Sequence, residues 1–314
     1  METAFTLLVG IQHPLQQAVM GGVSVPELAG AVAHAGALGM LCEFDDEAAS
    51  ERMTRALKLG GGGAIGMGFF GQWIDRDLET FEIASDRLRV VEVFWSAPDA
   101  ALVARARRSG AALVGWQVGS LDEALGAVDV GCDFVVAQGR EAGGHVRGTL
   151  PRQELLELVL SHVSVPVVTA GGITTAADVL AAIAEGAAAV RVGTRFVATK
   201  ESNAHPEYVQ ALLAATSGDQ TVLTTAFGVG WPDAPHRVLA SAVAAAEQFE
   251  GEVVGQVSGP GGPSPVPRFS VVTPSIKAVG HIDAMALYAG TGVGAVTAVL
   301  PAAEVVADLV SQLD

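Results

Sequence analysis

Cysteine is nearly absent from this 314-residue chain, which has only Cys42 and Cys132. Two cysteines in apolar surroundings are too few for a disulfide framework, and we expect both to be buried thiols in a reducing compartment. Basic residues are also scarce, since 18 Lys and Arg stand against 34 Asp and Glu for a formal net charge of −16. Nucleic acids and anionic membrane surfaces both require a basic patch, so the sequence predicts no partner of either kind.

Long apolar runs are missing as well, although 50% of the residues are hydrophobic. Charge or glycine interrupts every apolar stretch before it reaches the roughly 18 residues of a membrane-spanning helix, and no basic N-terminal region precedes a long apolar run. We therefore expect a cytoplasmic protein with no membrane span. Length and hydrophobic content predict one barrel with an insertion, or two smaller domains, around a sizeable core.

Strand-like runs alternate with helical patterns through the first two thirds of the chain, which is typical of parallel βα units. Eight such units can be counted. The second predicted helix runs from about Asp45 to Leu59, and the fifth predicted strand runs from Ala111 to Gln117. Eight consecutive units of this kind predict an α/β protein with a (β/α)8 TIM barrel.

The pattern changes after Ser202, where glycines and prolines separate two strand-like runs. We interpret residues 203–275 as an insertion after strand eight, either a smaller second domain or a lid. The barrel would then consist of residues 1–202 and 276–314. An amphipathic helix from Pro301 to Leu313 is expected to close it.

The segment FVVAQGREAGGHVRG, Phe134 to Gly148, runs from an apolar strand into a glycine-rich loop with one histidine. Gln138 is the first polar side chain at the carboxyl end of the strand, where barrel enzymes place their active sites. Glycines in the loop allow the backbone to approach a flat ligand closely. His145 would project into that space, although a lone histidine in such a loop is most often a turn residue or is satisfied by a nearby carbonyl group.

A second segment, Val165 to Ser202, contains a strand, a Gly-Gly turn, a helix, a strand and a Gly-Thr turn. Exposed backbone N–H groups at two successive strand ends form an anion cradle, and the loops after the last two strands are the usual phosphate site of barrels. No G-x-G-x-x-G motif opens a helix with an acidic residue about 20 positions later, so the dinucleotide fingerprint is missing. The sequence therefore favours a mononucleotide.

Three motifs together, AQGREAGGH, TAGGI and GTRFVATKES, resemble the nitronate monooxygenases, formerly called 2-nitropropane dioxygenases, which are FMN-dependent barrel enzymes. Stretches that begin QAVMGGVSVPELAG and ALYAGTGVG extend the resemblance over essentially the whole chain. It implies bound FMN and a second domain packed on the barrel mouth. It also implies oxidation of alkyl nitronates, with nitroalkanes as further candidates, by dioxygen to a carbonyl compound and nitrite. A homodimer is left open, and no residue is assigned as a metal ligand.

The resemblance assigns roles only to residues within matching motifs. His145 corresponds to the family's AGGH histidine, which acts on the acidic carbon of the substrate. An unperturbed imidazole pKa of about 6.5 would suit a base for a nitroalkane α-proton. The remaining positions are expected to bind the phosphate, the ring or the ribityl chain of FMN. They are Met20, Gly21, Gly22, Gln117, Gln138, Gly143, Gly171, Gly172, Gly193 and Thr194.

The ends of strands three and four depart from the family pattern. Gly68 stands where strand three usually ends in asparagine, and Phe94 with Trp95 stands where strand four usually supplies a histidine. These changes predict a more apolar substrate pocket. Two other functions stay open: an NAD(P)H-dependent flavin reductase that acts on quinone or enoyl substrates, and a non-redox barrel that binds a phosphorylated metabolite.

Overall fold

The computed structural model describes residues 1–42, 48–110, 112–259 and 261–313. Its strands, in chain order, are β1 (Leu15–Gln17), β2 (Gly39–Cys42), β3 (Ile65–Phe70), β4 (Val90–Phe94), β5 (Leu113–Val118), β6 (Phe134–Gln138), β7 (Gly144–His145), β8 (Val167–Ala170), β9 (Ala189–Val192), β10 (Thr221–Thr224), β11 (His236–Leu239), β12 (Val253–Gly259), β13 (Gly262–Pro267) and β14 (Ala278–Gly280).

The α-helices are α1 (Ala4–Val9), α2 (Pro26–His34), α3 (Ala49–Gly60), α4 (Leu78–Arg87), α5 (Ala100–Ser109), α6 (Leu121–Asp129), α7 (Arg152–Leu160), α8 (Ala176–Ala184), α9 (Thr194–Val197), α10 (Pro206–Ala214), α11 (Ala240–Gln248) and α12 (Ala302–Val310). The predicted helix from Asp45 begins outside the described residues, and its described part is α3. Residue 111, the predicted start of strand five, also lies outside them.

Eight parallel strands form one sheet in the order β1-β9-β8-β6-β5-β4-β3-β2. The sheet closes between β1 and β2, where the amide of Gln17 donates to the carbonyl of Leu38 at 2.9 Å and the amide of Leu38 donates to that of Leu15 at 2.9 Å. Helix α12 packs against α2, which follows β1, and against α8, which follows β8. The predicted TIM barrel and its closing helix are confirmed.

Helix α1, which the sequence analysis did not predict, packs on residues inside the barrel. Phe5 is fully buried and packs edge-on against the ring of Phe134, with centroids 5.2 Å apart. The hydroxyl of Thr3 donates to the carbonyl of Ala188, just before β9, at 2.7 Å. Because these contacts lie at the amino ends of the strands, α1 closes the face of the barrel opposite the predicted site.

Two small antiparallel sheets follow the barrel, in the orders β10-β11-β7 and β13-β12-β14. The first takes its edge strand β7 from the glycine-rich loop, so His145 pairs with His236 across the ladder. One apolar cluster continues from barrel residues such as Val190 and Phe196 to Tyr208, Phe227 and Leu287 in the later part of the chain. The later segments are therefore packed onto the barrel by buried apolar surface.

Candidate active site

A cavity of about 680 Å³ lies at the carboxyl ends of the barrel strands. All the residues that the sequence analysis predicted for the site line it. They are His145, Met20, Gly21, Gly22, Gln117, Gln138, Gly143, Gly171, Gly172, Gly193 and Thr194. Parallel strands end at one edge of a sheet, and this geometry brings residues from distant motifs to one place.

The turns after β8 and β9, where the sequence predicts an anion cradle, both line the cavity. The backbone amides of Gly172, Gly193 and Thr194 have no acceptor among the described residues, which leaves three donors for a ligand. Gly172 adopts φ +73°, and a Cβ atom there would lie 3.0 Å from the hydroxyl of Thr291. A Cβ atom at Gly193 would lie 3.3 Å from the Cβ of Ala18. Glycine therefore keeps these amides accessible, as a phosphate group requires.

Helix α8 contributes less to this cradle than its position predicts. Thr175 caps the helix, and the amides of Thr174 and Thr175 donate to the carboxylate of Asp178 at 3.0 and 2.8 Å. A carboxylate that already occupies the positive end of a helix dipole opposes the binding of a second anion. The turn amides at Gly172, Gly193 and Thr194 are not occupied in this way.

The backbone of His145 is fixed by several hydrogen bonds. The side-chain amide of Gln138 donates to the carbonyl of His145 at 3.1 Å, and the amide of Val146 donates to the carbonyl of Pro235 at 2.8 Å. The pairing of β7 with β11 adds the ladder contacts. His145 is therefore a residue of an ordered strand rather than of an open loop.

The imidazole of His145 lies among aromatic rings. It stacks on Trp231 with centroids 3.9 Å apart, and the rings of His236 and Tyr288 follow at 5.3 and 5.6 Å. Its Nε2 atom is buried without a hydrogen-bond partner. Burial, and secondarily the nearby His236, lowers the pKa of His145 to about 3. The ring is neutral at neutral pH, so the base role argued from an ordinary pKa of about 6.5 loses its premise.

His236 is fully buried and was not singled out in the sequence analysis. The backbone N–H of Phe227 donates to its Nε2 at 3.1 Å, so Nε2 is the unprotonated nitrogen. Its Nδ1 must then carry the proton and donate to the carbonyl of Ala234 at 2.9 Å. With both nitrogens satisfied and its pKa lowered by burial, His236 is a neutral residue that holds the turn before β11.

Four polar side chains form a hydrogen-bonded group inside the barrel below the cavity. Arg191 forms an ion pair with Glu92 and donates to the side-chain oxygens of Gln117 at 2.5 Å and Gln16 at 3.3 Å. The amide of Gln16 donates to Glu92 at 3.1 Å. Arginine can only donate, so Gln117 must turn its oxygen to Arg191 and its NH2 group remains for a ligand.

This group was missed in the sequence analysis. Its signal is nevertheless present, because Glu92 and Arg191 each interrupt an otherwise apolar strand, VVEVF and AVRV. Charged side chains are almost never fully buried unless they are paired. Two such interruptions in strands of one barrel therefore predict an internal ion pair.

The two departures from the family pattern are both at the cavity. Gly68 and Phe94 line it. A Cβ atom at Gly68 would lie 2.4 Å from a methyl carbon of Val19, so the valine side chain fills the space that a side chain at position 68 would need. At these two positions the cavity is lined by apolar groups, and the more apolar substrate pocket stays a prediction.

Fold and site together define a class of protein: a parallel (β/α)8 barrel with a cavity at the carboxyl ends of its strands, into which its last two strand turns present backbone amides. The chain belongs to the nitronate monooxygenase family, whose model matches residues 2–58 and 70–312. It is accordingly a flavin-dependent oxidoreductase. Family membership favours the redox functions over the non-redox phosphometabolite barrel.

Individual relatives include proteins with several activities. The chain is 31% identical to a nitronate monooxygenase of Pseudomonas aeruginosa, over 100% of this chain and 99% of the relative. It is 32% identical to the (3aS,4S,5R,7aS)-5-hydroxy-7a-methyl-1-oxo-octahydro-1H-indene-4-carboxyl-CoA dehydrogenase of Rhodococcus jostii, over 82% of this chain and 71% of the relative.

Two solved structures superimpose on nearly the whole chain. A nitroalkane oxidase from Streptomyces ansochromogenes superimposes with a TM-score of 0.78 at 30% identity, over 99% of this chain and 98% of that one. FabK from Thermotoga maritima superimposes with a TM-score of 0.79 at 25% identity, over 99% of this chain and 96% of that one. Among the described residues, no helix combines the length and apolar character needed to cross a membrane.

Proposed function

We propose that this protein uses FMN to oxidise alkyl nitronates with dioxygen, giving a carbonyl compound and nitrite. The observation that carries the proposal is the position of His145, a neutral imidazole with an unpartnered Nε2, beside a cavity that contains the predicted phosphate cradle. Membership in the nitronate monooxygenase family supports it.

The cavity residues fit FMN. The amides of Gly172, Gly193 and Thr194 would hold the phosphate, and the NH2 group of Gln117 would donate to an acceptor on the flavin ring. Gln138 has a buried side-chain oxygen without a partner, which can accept from a ligand N–H or hydroxyl. Bound FMN would supply the electron transfer between substrate and dioxygen.

We assign His145 a hydrogen-bonding role toward the substrate. A group whose pKa is about 3 is a weak base, but a neutral imidazole that carries its proton on Nε2 can donate to a nitronate oxygen. Nitronates are anions that have already lost the α-proton, so their oxidation requires no base. The structure therefore favours a preformed nitronate over a neutral nitroalkane as substrate.

The test begins with the cofactor released from the purified protein. Mass spectrometry is expected to identify FMN, and FAD would contradict the proposed cradle. The nitronates of nitroethane and 1-nitrobutane should then consume dioxygen and release nitrite in proportion. Absence of nitrite with every nitronate, in a protein loaded with FMN, would overturn the proposed reaction.

A second candidate is an NAD(P)H-dependent flavin reductase that acts on quinone or enoyl substrates. The similarity to a protein named as a dehydrogenase and to FabK supports it. Anaerobic addition of NADH or NADPH separates the two candidates. Rapid bleaching of the flavin absorbance would favour the reductase, whereas a nitronate monooxygenase should keep its oxidised spectrum.

We further propose that residues 203–275 cover the mouth of the cavity as an inserted domain or lid. Trp231, Val257, Val271, Val272 and Thr273 from this segment line the cavity together with the barrel residues. A ligand would thus be enclosed between the two parts of the chain. A cytoplasmic location and a homodimer remain predictions from the sequence.

A further inference from the structure

Four aromatic side chains form one wall of the cavity, which we call the aromatic wall: Phe70, Trp73, Phe94 and Trp231. Phe70 contacts the other three, with ring centroids 5.7 Å from Trp73, 6.1 Å from Phe94 and 5.2 Å from Trp231. Trp73 and Trp231 are 4.8 Å apart. The four rings therefore form a continuous apolar surface rather than scattered contacts.

The wall is assembled from three parts of the chain. Phe70 and Phe94 are the last residues of β3 and β4, Trp73 follows β3, and Trp231 comes from the segment between β10 and β11. Trp231 also stacks on His145. The wall thus begins at the residue that we assign to the reacting end of the substrate, and it extends toward β3.

Trp95 supports the wall from behind. Its indole lies 4.9 Å from that of Trp231, and its backbone adopts φ +63°, which is strained for a bulky residue. The guanidinium of Arg147 lies 5.8 Å from the Trp95 ring and is itself paired with Glu123. Strain of this kind persists only where the surroundings over-determine the conformation, so Trp95 itself is held in place beside Trp231.

None of the four side chains of the aromatic wall carries a charge. Among the described residues that line the cavity, the charged ones are Glu92, Arg191 and Lys277. Glu92 and Arg191 neutralise each other inside the barrel. Lys277 follows Ile276, whose amide donates to the carbonyl of Asn203, and the Asn203 side chain donates to the carbonyl of Gly22. A second charge on a substrate in contact with the four rings would lose part of its hydration there, and the rings offer no charged partner in return.

We propose that the aromatic wall binds the body of the substrate, so that the enzyme selects nitronates with an uncharged alkyl, alicyclic or aryl group over those that carry a second anionic group. This inference rests on the proposed function for the identity of the reacting group. The preference for an apolar body depends only on the wall.

Binding measurements test the preference for an apolar substrate body, and turnover measurements test the identity of the reacting group. Carboxylates imitate the anionic end of a nitronate but cannot react, so their dissociation constants can be measured from the flavin absorbance of the holoenzyme. From propanoate to pentanoate, Kd is expected to fall about fourfold for each added methylene group. Succinate, similar in length to pentanoate but doubly charged, should bind at least tenfold more weakly. The kcat/KM values should follow the same order, with the nitronate of 1-nitrobutane above that of 3-nitropropionate.

Variants test whether the aromatic wall is the source of this gain in affinity. Trp73→Ala and Phe94→Ala should reduce the gain in affinity per added methylene group to less than twofold. Phe94→Leu provides a milder change if the alanine variants fold poorly. Phe249→Ala is the matched control, because that half-buried ring packs near His281 and does not line the cavity. Phe249→Ala should keep the full gain in affinity per added methylene group.

The outcomes are distinguishable. If no nitronate is turned over but pentanoate still binds more tightly than succinate, the proposed reaction fails and the apolar site stands. If succinate and the 3-nitropropionate nitronate equal their uncharged counterparts, or if Phe249→Ala reduces the gain as much as Trp73→Ala, the inference about the wall is wrong.

Discussion

The imidazole of His145 stacks on the indole of Trp231, with ring centroids 3.9 Å apart and an interplanar angle of 19°. His145 belongs to β7, whereas Trp231 lies in the segment between β10 and β11. In this arrangement Nε2 of His145 is sealed from water. We therefore expect a ligand to reach Nε2 only after the Trp231 indole shifts.

Replacement of Trp231 should raise the pKa of His145. Burial is the leading cause of its depression to about 3, and Trp231→Leu removes the stacked ring that provides much of that burial. The pKa should move toward the ordinary value of about 6.5. NMR titration of the imidazole Cε1–H resonance, assigned with His145→Gln, measures the change. Phe249→Leu should leave the resonance unchanged, and a His145 pKa that stays near 3 in Trp231→Leu would show that other neighbours bury the ring.

Removal of the imidazole should affect turnover rather than flavin binding. His145→Ala is expected to keep its FMN and to lose about 10- to 150-fold in kcat/KM for a nitronate, the value of a hydrogen bond to a charged group. His145→Gln retains an N–H donor and should recover part of the loss. Because His145 is neutral above about pH 3, the wild-type profile should show no step from it between pH 5 and 8. A step near pH 6.5 that disappears in His145→Ala, with a larger loss on the neutral nitroalkane than on its nitronate, would restore the base role.

Substitution in the cradle should release the flavin. Gly193→Val places a branched side chain against Ala18 and over the turn amides, and it is expected to lower the FMN content of a folded protein severalfold or more. Gly172→Val should do the same, but it also forces a valine into φ +73°. Gly62→Val is the control for that strain, since Gly62 has φ +96° and nothing within 4 Å of an added Cβ. Retention of stoichiometric FMN in Gly193→Val would place the phosphate elsewhere.

Removal of one partner of the buried Arg191–Glu92 ion pair should lower the free energy of unfolding. Arg191→Met leaves Glu92 buried without its partner, and it is expected to lower the free energy of unfolding by about 3–5 kcal/mol. Arg191→Met combined with Glu92→Leu removes both charges and should recover most of the loss. Arg105→Met breaks an exposed pair with Glu82 and should cost less than about 1 kcal/mol. Equal losses in urea unfolding for Arg191→Met and Arg105→Met would contradict this account.

Acid should destabilise the fold partly through His145. Its folded pKa of about 3 lies below the unfolded value, so the unfolded chain takes up a proton first and stability falls as the pH drops from about 6.5 toward 3. Above about 6.5 both states are neutral and the effect vanishes. His145→Gln should therefore reduce the slope of unfolding free energy against pH by about 1.4 kcal/mol per unit between roughly pH 6 and 4. An unchanged slope would mean that His145 titrates normally in the folded protein.

Much of the fold follows from the sequence alone, because alternating apolar strands and helices predict a parallel sheet covered by helices, and eight such units are the number that closes a barrel. The same alternation placed the predicted site, since Gln138 ends a strand, Gly172 and Gly193 follow strands, and parallel strands end at one edge. The glycines at these turns can be read directly from the sequence, and they indicate a backbone that a ligand can approach closely. Helix α1 was missed because its six residues carry too short a pattern to predict a helix or its docking site.

Only the tertiary structure decided the chemistry of His145. Its pKa depends on Trp231 and His236, which are remote in sequence and reach it through the pairing of β7 with β11. The orientation of Gln117 likewise depends on Arg191, whose strand lies elsewhere in the barrel. Local sequence determines which groups are available, whereas burial and hydrogen-bond partners are long-range properties that set protonation and direction.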